Sequence, residues 1–65
     1  MNDGIEIKTE KEEIIIKGTK EELLELSSYI EKIANSKLEK DHIHLGIETL
    51  LNEKSDIKEI IIEKG

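Results

Sequence analysis

The sequence predicts an α+β fold, ββαββ, in which four strands form one antiparallel sheet and a single helix covers one of its faces. Three observations lead there. Ile5-Glu6-Ile7-Lys8 alternates apolar and polar strictly, the mark of a strand with one buried face. Two isoleucine triplets, Ile14-Ile15-Ile16 and Ile60-Ile61-Ile62, carry the β-branching that suits a pleated surface. Between them lies one amphipathic stretch with a clear start signal.

The elements can be justified in order. Residues Thr9 to Glu12 are polar and turn the chain, without the Asn-Gly signature of a tight hairpin. Glu13 to Lys17 then returns as the second strand. Thr19 caps a helix start, and Glu22 three residues on reaches back, the capping-box spacing. Acids in that first turn also suit the positive end of the helix dipole. Leu23, Leu26, Ile30, Ile33 and Ala34 recur at three- and four-residue steps, so the helix runs to about Asn35. Leu24 and Tyr29 widen its apolar stripe. Asn35 to Lys40 is a polar exit, with Leu38 folding back under the helix. The third strand is His42 to Leu45 and the last Ile57 to Glu63. Between them, Ile47, Leu50 and Leu51 fit either a helical turn or a loop pinned by its side chains.

Period two assigns the faces. Ile5, Ile7, Ile14, Ile16, Ile43, Leu45, Ile60 and Ile62 are expected under the helix. Glu6, Lys8, Glu13, Ile15, Lys17, His42, His44, Glu59, Ile61 and Glu63 fall on the other face. One helix leaves that second face without intramolecular cover. It is mostly charged, with two isoleucines and both histidines of the chain. An apolar centre inside a charged surround is how partner sites look, although antiparallel sheets also solvate such faces.

Composition narrows the function classes. Sixty-five residues make one small domain, residues 1–65, burying only about 60% of the surface its unfolded chain exposes. The chain has no cysteine, which removes disulfides, thiolate metal sites and cysteine nucleophiles together. Sixteen acids against ten bases leave a net charge of −6, which repels nucleic-acid phosphates and anionic membranes and attracts basic partners. No apolar run approaches a membrane span. Met1-Asn2-Asp3-Gly4 shows no secretory start, so a cytoplasmic location is expected.

No constellation compels a reaction. Ser27 and Ser28 lie mid-helix, Ser36 at its exit and Ser55 in the late loop, none in a strand-to-helix elbow. The four glycines are scattered, so no loop cradles a phosphate. No enzymatic activity and no cofactor are expected. His42 and His44 share a face and are the one alternative metal pair, with Asp41, Glu59 or Glu63 as third ligand, but two histidines alone are a weak signal. Self-association is another alternative: a homodimer joining sheet edges or open faces would cover the isoleucine-rich strands.

Leu23-Leu24-Glu25-Leu26, His42-Ile43-His44-Leu45, Leu50-Leu51, and Ser55 ahead of Ile60-Ile61-Ile62-Glu63 together resemble the Immunity protein 32 family of bacterial polymorphic toxin systems. The resemblance runs from Ile14 to Glu63. Where the family pattern has an acid after the leucine of His-any-His-Leu, this chain has Gly46. The resemblance implies a small cytosolic protein that binds and neutralises a cognate toxin domain by occlusion, with no reaction of its own. Its partner would be a basic toxin domain. The surface expected to meet it is His42, His44, Ile15, Ile61, Glu13, Glu59 and Glu63: carboxylates steering, the isoleucines giving a desolvated centre, the imidazoles hydrogen bonding.

Overall fold

The computed structural model describes residues 4–65; the reading of Met1–Asp3 as lacking a secretory start lies outside them. The elements follow in the expected order: β1 (Glu6–Glu10), β2 (Glu13–Lys17), α1 (Lys20–Ala34), β3 (Asp41–Gly46) and β4 (Glu59–Lys64). The α+β class stands. The single four-stranded sheet is corrected. Among the described residues β1 pairs only with β2 and β3 only with β4, as two separate antiparallel sheets.

The second edge of β1 is already occupied. Successive residues of a strand point their N–H groups to opposite sides, and those of Ile5, Ile7 and Thr9 point away from β2. All three find partners in the segment from Leu50 to Asp56. Ile5 N–H donates to the Leu50 carbonyl at 2.8 Å, while Asn52 N–H returns to the Ile5 carbonyl at 2.7 Å. Ile7 N–H donates to Ser55 Oγ at 2.8 Å, and Asp56 N–H to the Ile7 carbonyl at 2.7 Å. Thr9 N–H donates to Asp56 Oδ2 at 2.7 Å. An irregular segment thus occupies the place where a third strand would add. Only one bridge, Ile5 beside Leu51 in parallel, has strand geometry.

Gly46 starts that segment by closing one turn. Its carbonyl accepts from the N–H groups of Thr49, Leu50 and Leu51 at 3.1, 2.9 and 2.9 Å, and Thr49 Oγ1 accepts the Gly46 N–H at 2.9 Å. Both expected forms are therefore present in series, a turn and then a pinned loop. Leu50 and Leu51 are buried, while Ile47 stays exposed. Lys58 fastens the loop's far end, its Nζ donating to the carbonyls of Glu53 and Ser55 at 2.6 and 2.7 Å.

The helix start has the expected box. Glu22 N–H donates to Thr19 Oγ1 at 3.1 Å and Thr19 N–H donates to Glu22 Oε1 at 2.8 Å. Glu22 also does something the spacing did not announce. Its side chain is buried, and Oε2 accepts the Gly4 N–H at 2.9 Å, so one carboxylate caps the helix and anchors the chain entering β1. Gly4 has φ +98°, and a Cβ there would lie 2.6 Å from the Leu50 carbonyl oxygen; only glycine fits.

The helix faces β3 and β4. Its buried positions are Glu22, Leu26 and Ile33, with Tyr29 half-buried between them. Leu23 and Ile30 sit about a quarter turn away and Leu24 further round. All three are exposed, Ile30 at 46%. The expected stripe is right in period but displaced in phase, with Glu22 in a core position from which it accepts the N–H groups of Gly4 and Thr19. Leu38 is also exposed, so it does not fold back under the helix.

Ile5, Ile7, Leu26, Leu45, Leu50 and Leu51 form the core, with Tyr29, Ile43, Ile57, Ile60 and Ile62 packed against it. Six of the eight expected inward strand positions are therefore in or against the core. Ile14 and Ile16 are not: they are 63% and 47% exposed. They share the inner face with Ile7, opposite Thr9 and Ile7 respectively. With the helix seated on the other sheet, no described element covers β2 in the same way, and all five of its residues are exposed. The turn before it is tighter than expected. Glu10 pairs with Glu13 across two residues, and Lys11 takes φ +54°.

Candidate functional site

The outer face of β3–β4 is built by register. His42 lies opposite Glu63, His44 opposite Ile61 and Gly46 opposite Glu59, while Ile43 with Ile62 and Leu45 with Ile60 form the inner face. Burial follows the same alternation: Leu45 is buried, Ile43, Ile60 and Ile62 are half-buried, and His42, His44, Glu59, Ile61 and Glu63 are exposed. The imidazoles look outward, as period two requires.

The two rings interact. His42 and His44 meet edge to face, centroids 5.1 Å apart at 68°, an arrangement that favours quadrupole contact over stacking. His44 Nδ1 lies 3.2 Å from Glu59 Oε2, a diagonal cross-strand neighbour. This is an ion pair whenever the imidazole is protonated. Both side chains are about half exposed, so solvent screening holds its worth to about 1 kcal/mol or less. Ile61 is 52% exposed at the middle of this face, with His44 opposite it and Glu59 and Glu63 two residues to either side. At the rim, the Ser36 hydroxyl and then the His42 backbone N–H hold the Asp41 carboxyl below the usual carboxylate range; the His42 N–H reaches Asp41 Oδ1 at 2.8 Å. Lys64, opposite Asp41, donates to the Ser36 carbonyl at 2.8 Å and ties the face to the helix exit.

Of the seven residues expected to meet a partner, the structure brings five together here: His42, His44, Glu59, Ile61 and Glu63. Glu13 and Ile15 stand on the other sheet, Glu13 opposite Glu10 and Ile15 opposite Lys8. Ile15 is 44% exposed. One sheet face spanning Ile15 and Ile61 depended on the four-stranded sheet, and the split removes it. Among the described residues no three of His, Cys, Asp and Glu converge on a point that holds an ion. Glycine at position 46 is not a steric demand, since a Cβ there would meet only the Lys58 carbonyl at 3.5 Å. An acid at that position would stand opposite Glu59, like charge against like.

A family model described as Immunity protein 32 matches residues 13–65. The chain belongs to the Immunity protein 32 family. The matched stretch takes in β2, α1, β3 and β4 and leaves β1 outside it. The resemblance read from Ile14 to Glu63 is thereby shown as membership, which carries an immunity function in general. A search of curated proteins and a search of solved structures each found no match. In this immunity protein no described helix is long and apolar enough to cross a membrane.

Sequence reasoning missed two polar anchors inside the matched stretch. Ser55 is buried, its Oγ accepting from Ile7 and donating to the Ile5 carbonyl at 3.2 Å. Its position ahead of the last strand was visible; its contacts nearly fifty residues away were not. Glu22 was legible as a cap but not as the acceptor for Gly4.

Proposed function

We propose that this immunity protein is a non-catalytic binding module that neutralises a cognate toxin domain by occlusion, in the cytoplasm of the producing cell. The observation that carries this reading is the family match over residues 13–65. The outer face of β3–β4 is the docking surface. Ile61 is its desolvated centre, His42 and His44 supply hydrogen bonds beside it, and Glu59 and Glu63 form the charged rim. Hot spots of this form, apolar centre within a polar ring, concentrate binding energy in a few residues. Glu13 and Ile15 form a secondary contact on the other sheet for a partner large enough to reach both.

The net charge of −6 selects the partner's sign. A basic toxin surface is drawn in at long range and nucleic acid is repelled. The toxin is blocked by cover of its working surface.

The experiment is co-expression with the toxin reading frame beside this gene, followed by affinity capture. Protection of the host and a stoichiometric complex with a basic domain are expected. Ile61→Asp should abolish both while the domain stays folded. Absence of both protection and complex with the native chain would overturn the proposal.

A further inference from the structure

We infer that β2 is a self-association edge, through which two copies of this chain join antiparallel about Ile15 into a four-stranded sheet. This inference does not rest on the toxin reading.

Backbone geometry comes first. Since Ile5, Ile7 and Thr9 point their N–H groups at the 50–56 segment, it is Glu6, Lys8 and Glu10 that face β2, and they stand opposite Lys17, Ile15 and Glu13. The polar backbone groups of Ile14 and Ile16 therefore point outward. Among the described residues no hydrogen bond reaches their N–H groups from that side. An open edge of this kind is a template for another strand.

The side chains then choose the occupant. Antiparallel pairing of Glu13-Ile14-Ile15-Ile16-Lys17 with itself, centred on Ile15, sets each Glu13 opposite the second copy's Lys17. Ile14 stands opposite the second copy's Ile16, and Ile15 opposite itself. In this register the outward-pointing groups of Ile14 and Ile16 meet as hydrogen-bonded pairs, so backbone parity and charge complementarity agree. Two ion pairs and three β-branched pairs result, the combinations that stabilise neighbouring strands. The contact is isologous and closes as a dimer. It also enlarges the apolar surface around Ile14 and Ile16, the two isoleucines the helix leaves uncovered.

The second triplet shows the contrast. Glu59-Ile60-Ile61-Ile62-Glu63 centred on Ile61 would set Glu59 opposite the second copy's Glu63, acid against acid at both ends. β4 lacks the complementarity that β2 has. A five-residue edge is small, and the negative charge of each copy opposes approach, so the dimer is a weak one.

Sedimentation of the full chain from about 10 μM to about 1 mM tests this, across the range where small interfaces assemble. A concentration-dependent dimer is expected, with amide exchange at Ile14 and Ile16 slowing as it forms while Ile15, already paired to β1, does not change. Glu13→Lys places lysine against lysine twice across the dimer but relieves the Glu10–Glu13 repulsion within each copy. It should stay folded and associate at least about tenfold more weakly. Mixing Glu13→Lys with Lys17→Glu restores both ion pairs and should give a heterodimer; if Lys17→Glu does not fold, the first variant and the exchange pattern decide. A chain monomeric throughout, a dimer indifferent to Glu13→Lys, unprotected Ile14 and Ile16 amides, or an edge taken only by a toxin strand would each overturn the inference.

Discussion

Ser55 stands in for a strand residue beside Ile7. Its hydroxyl accepts the Ile7 N–H at 2.8 Å and donates to the Ile5 carbonyl at 3.2 Å, doing with one oxygen what a neighbouring strand does with its backbone. Ile5, Ile7 and Ser55 are all buried, so water cannot replace it. Ser55→Ala should cost about 1–3 kcal/mol, because the buried Ile7 N–H loses its partner while the Ile5 carbonyl keeps the Asn52 N–H at 2.7 Å. Urea denaturation of the variant against the native chain measures it. A loss below half a kcal/mol would show that the loop re-pairs by another route.

The displaced phase of the helix gives a contrast between two positions. Leu26→Asp places a carboxylate in the core and should leave the chain unfolded at room temperature. Ile30→Asp falls on a half-exposed flank. It should cost only about 1–2 kcal/mol, from partial burial and helix propensity. Spacing alone puts Ile30 in the same apolar stripe as Leu26; its 46% exposure separates the two. Circular dichroism melts of the two variants separate the assignments.

Lys11 occupies the left-handed region at φ +54°, where a Cβ is penalised by about 1–2 kcal/mol. Lys11→Gly relieves that strain at the cost of a more flexible unfolded chain, so a net gain of about 0.5–1 kcal/mol is expected. A rise in melting temperature of a few degrees is the readout; a fall would mean the lysine side chain stabilises the turn in some other way.

Replacing His42 and His44 with alanine removes two exposed rings and one solvent-screened contact to Glu59. Folding should change by less than about 1 kcal/mol. Affinity for the toxin domain should drop at least about tenfold if the face is the docking surface. Calorimetric titration on folded variant protein reads the second effect without interference from the first.

Asp41 supplies a pH signature. Its carboxyl titrates below the usual value in the folded chain, so the unfolded chain binds more protons in the window just below about pH 4. The stabilisation is complete above that window and is lost as pH falls through the folded pKa. The side chain is exposed, so the effect is small. Asp41→Asn should flatten this part of the acid limb. An NMR titration of the Asp41 carboxyl that returned an ordinary value would refute the assignment.

Periodicity and capping, both local, determined much of this protein without any coordinates. Thr19 and Glu22 announce the helix because their bonds span three residues. His42 and His44 face outward because alternation is a property of any extended chain with one buried side. The family pattern is likewise written in short runs. Tertiary structure alone decided where the sheet ends and which isoleucines it leaves bare. The groups that decide this are a serine hydroxyl and an aspartate carboxylate meeting β1 from nearly fifty residues away. Such side-chain bonds leave no period in a sequence, and together with the backbone bonds of Leu50, Asn52 and Asp56 they close the second edge of β1 to another strand. The helix packs on β3 and β4 and leaves Ile14 and Ile16 exposed, although their sequence context is almost that of Ile60 and Ile62.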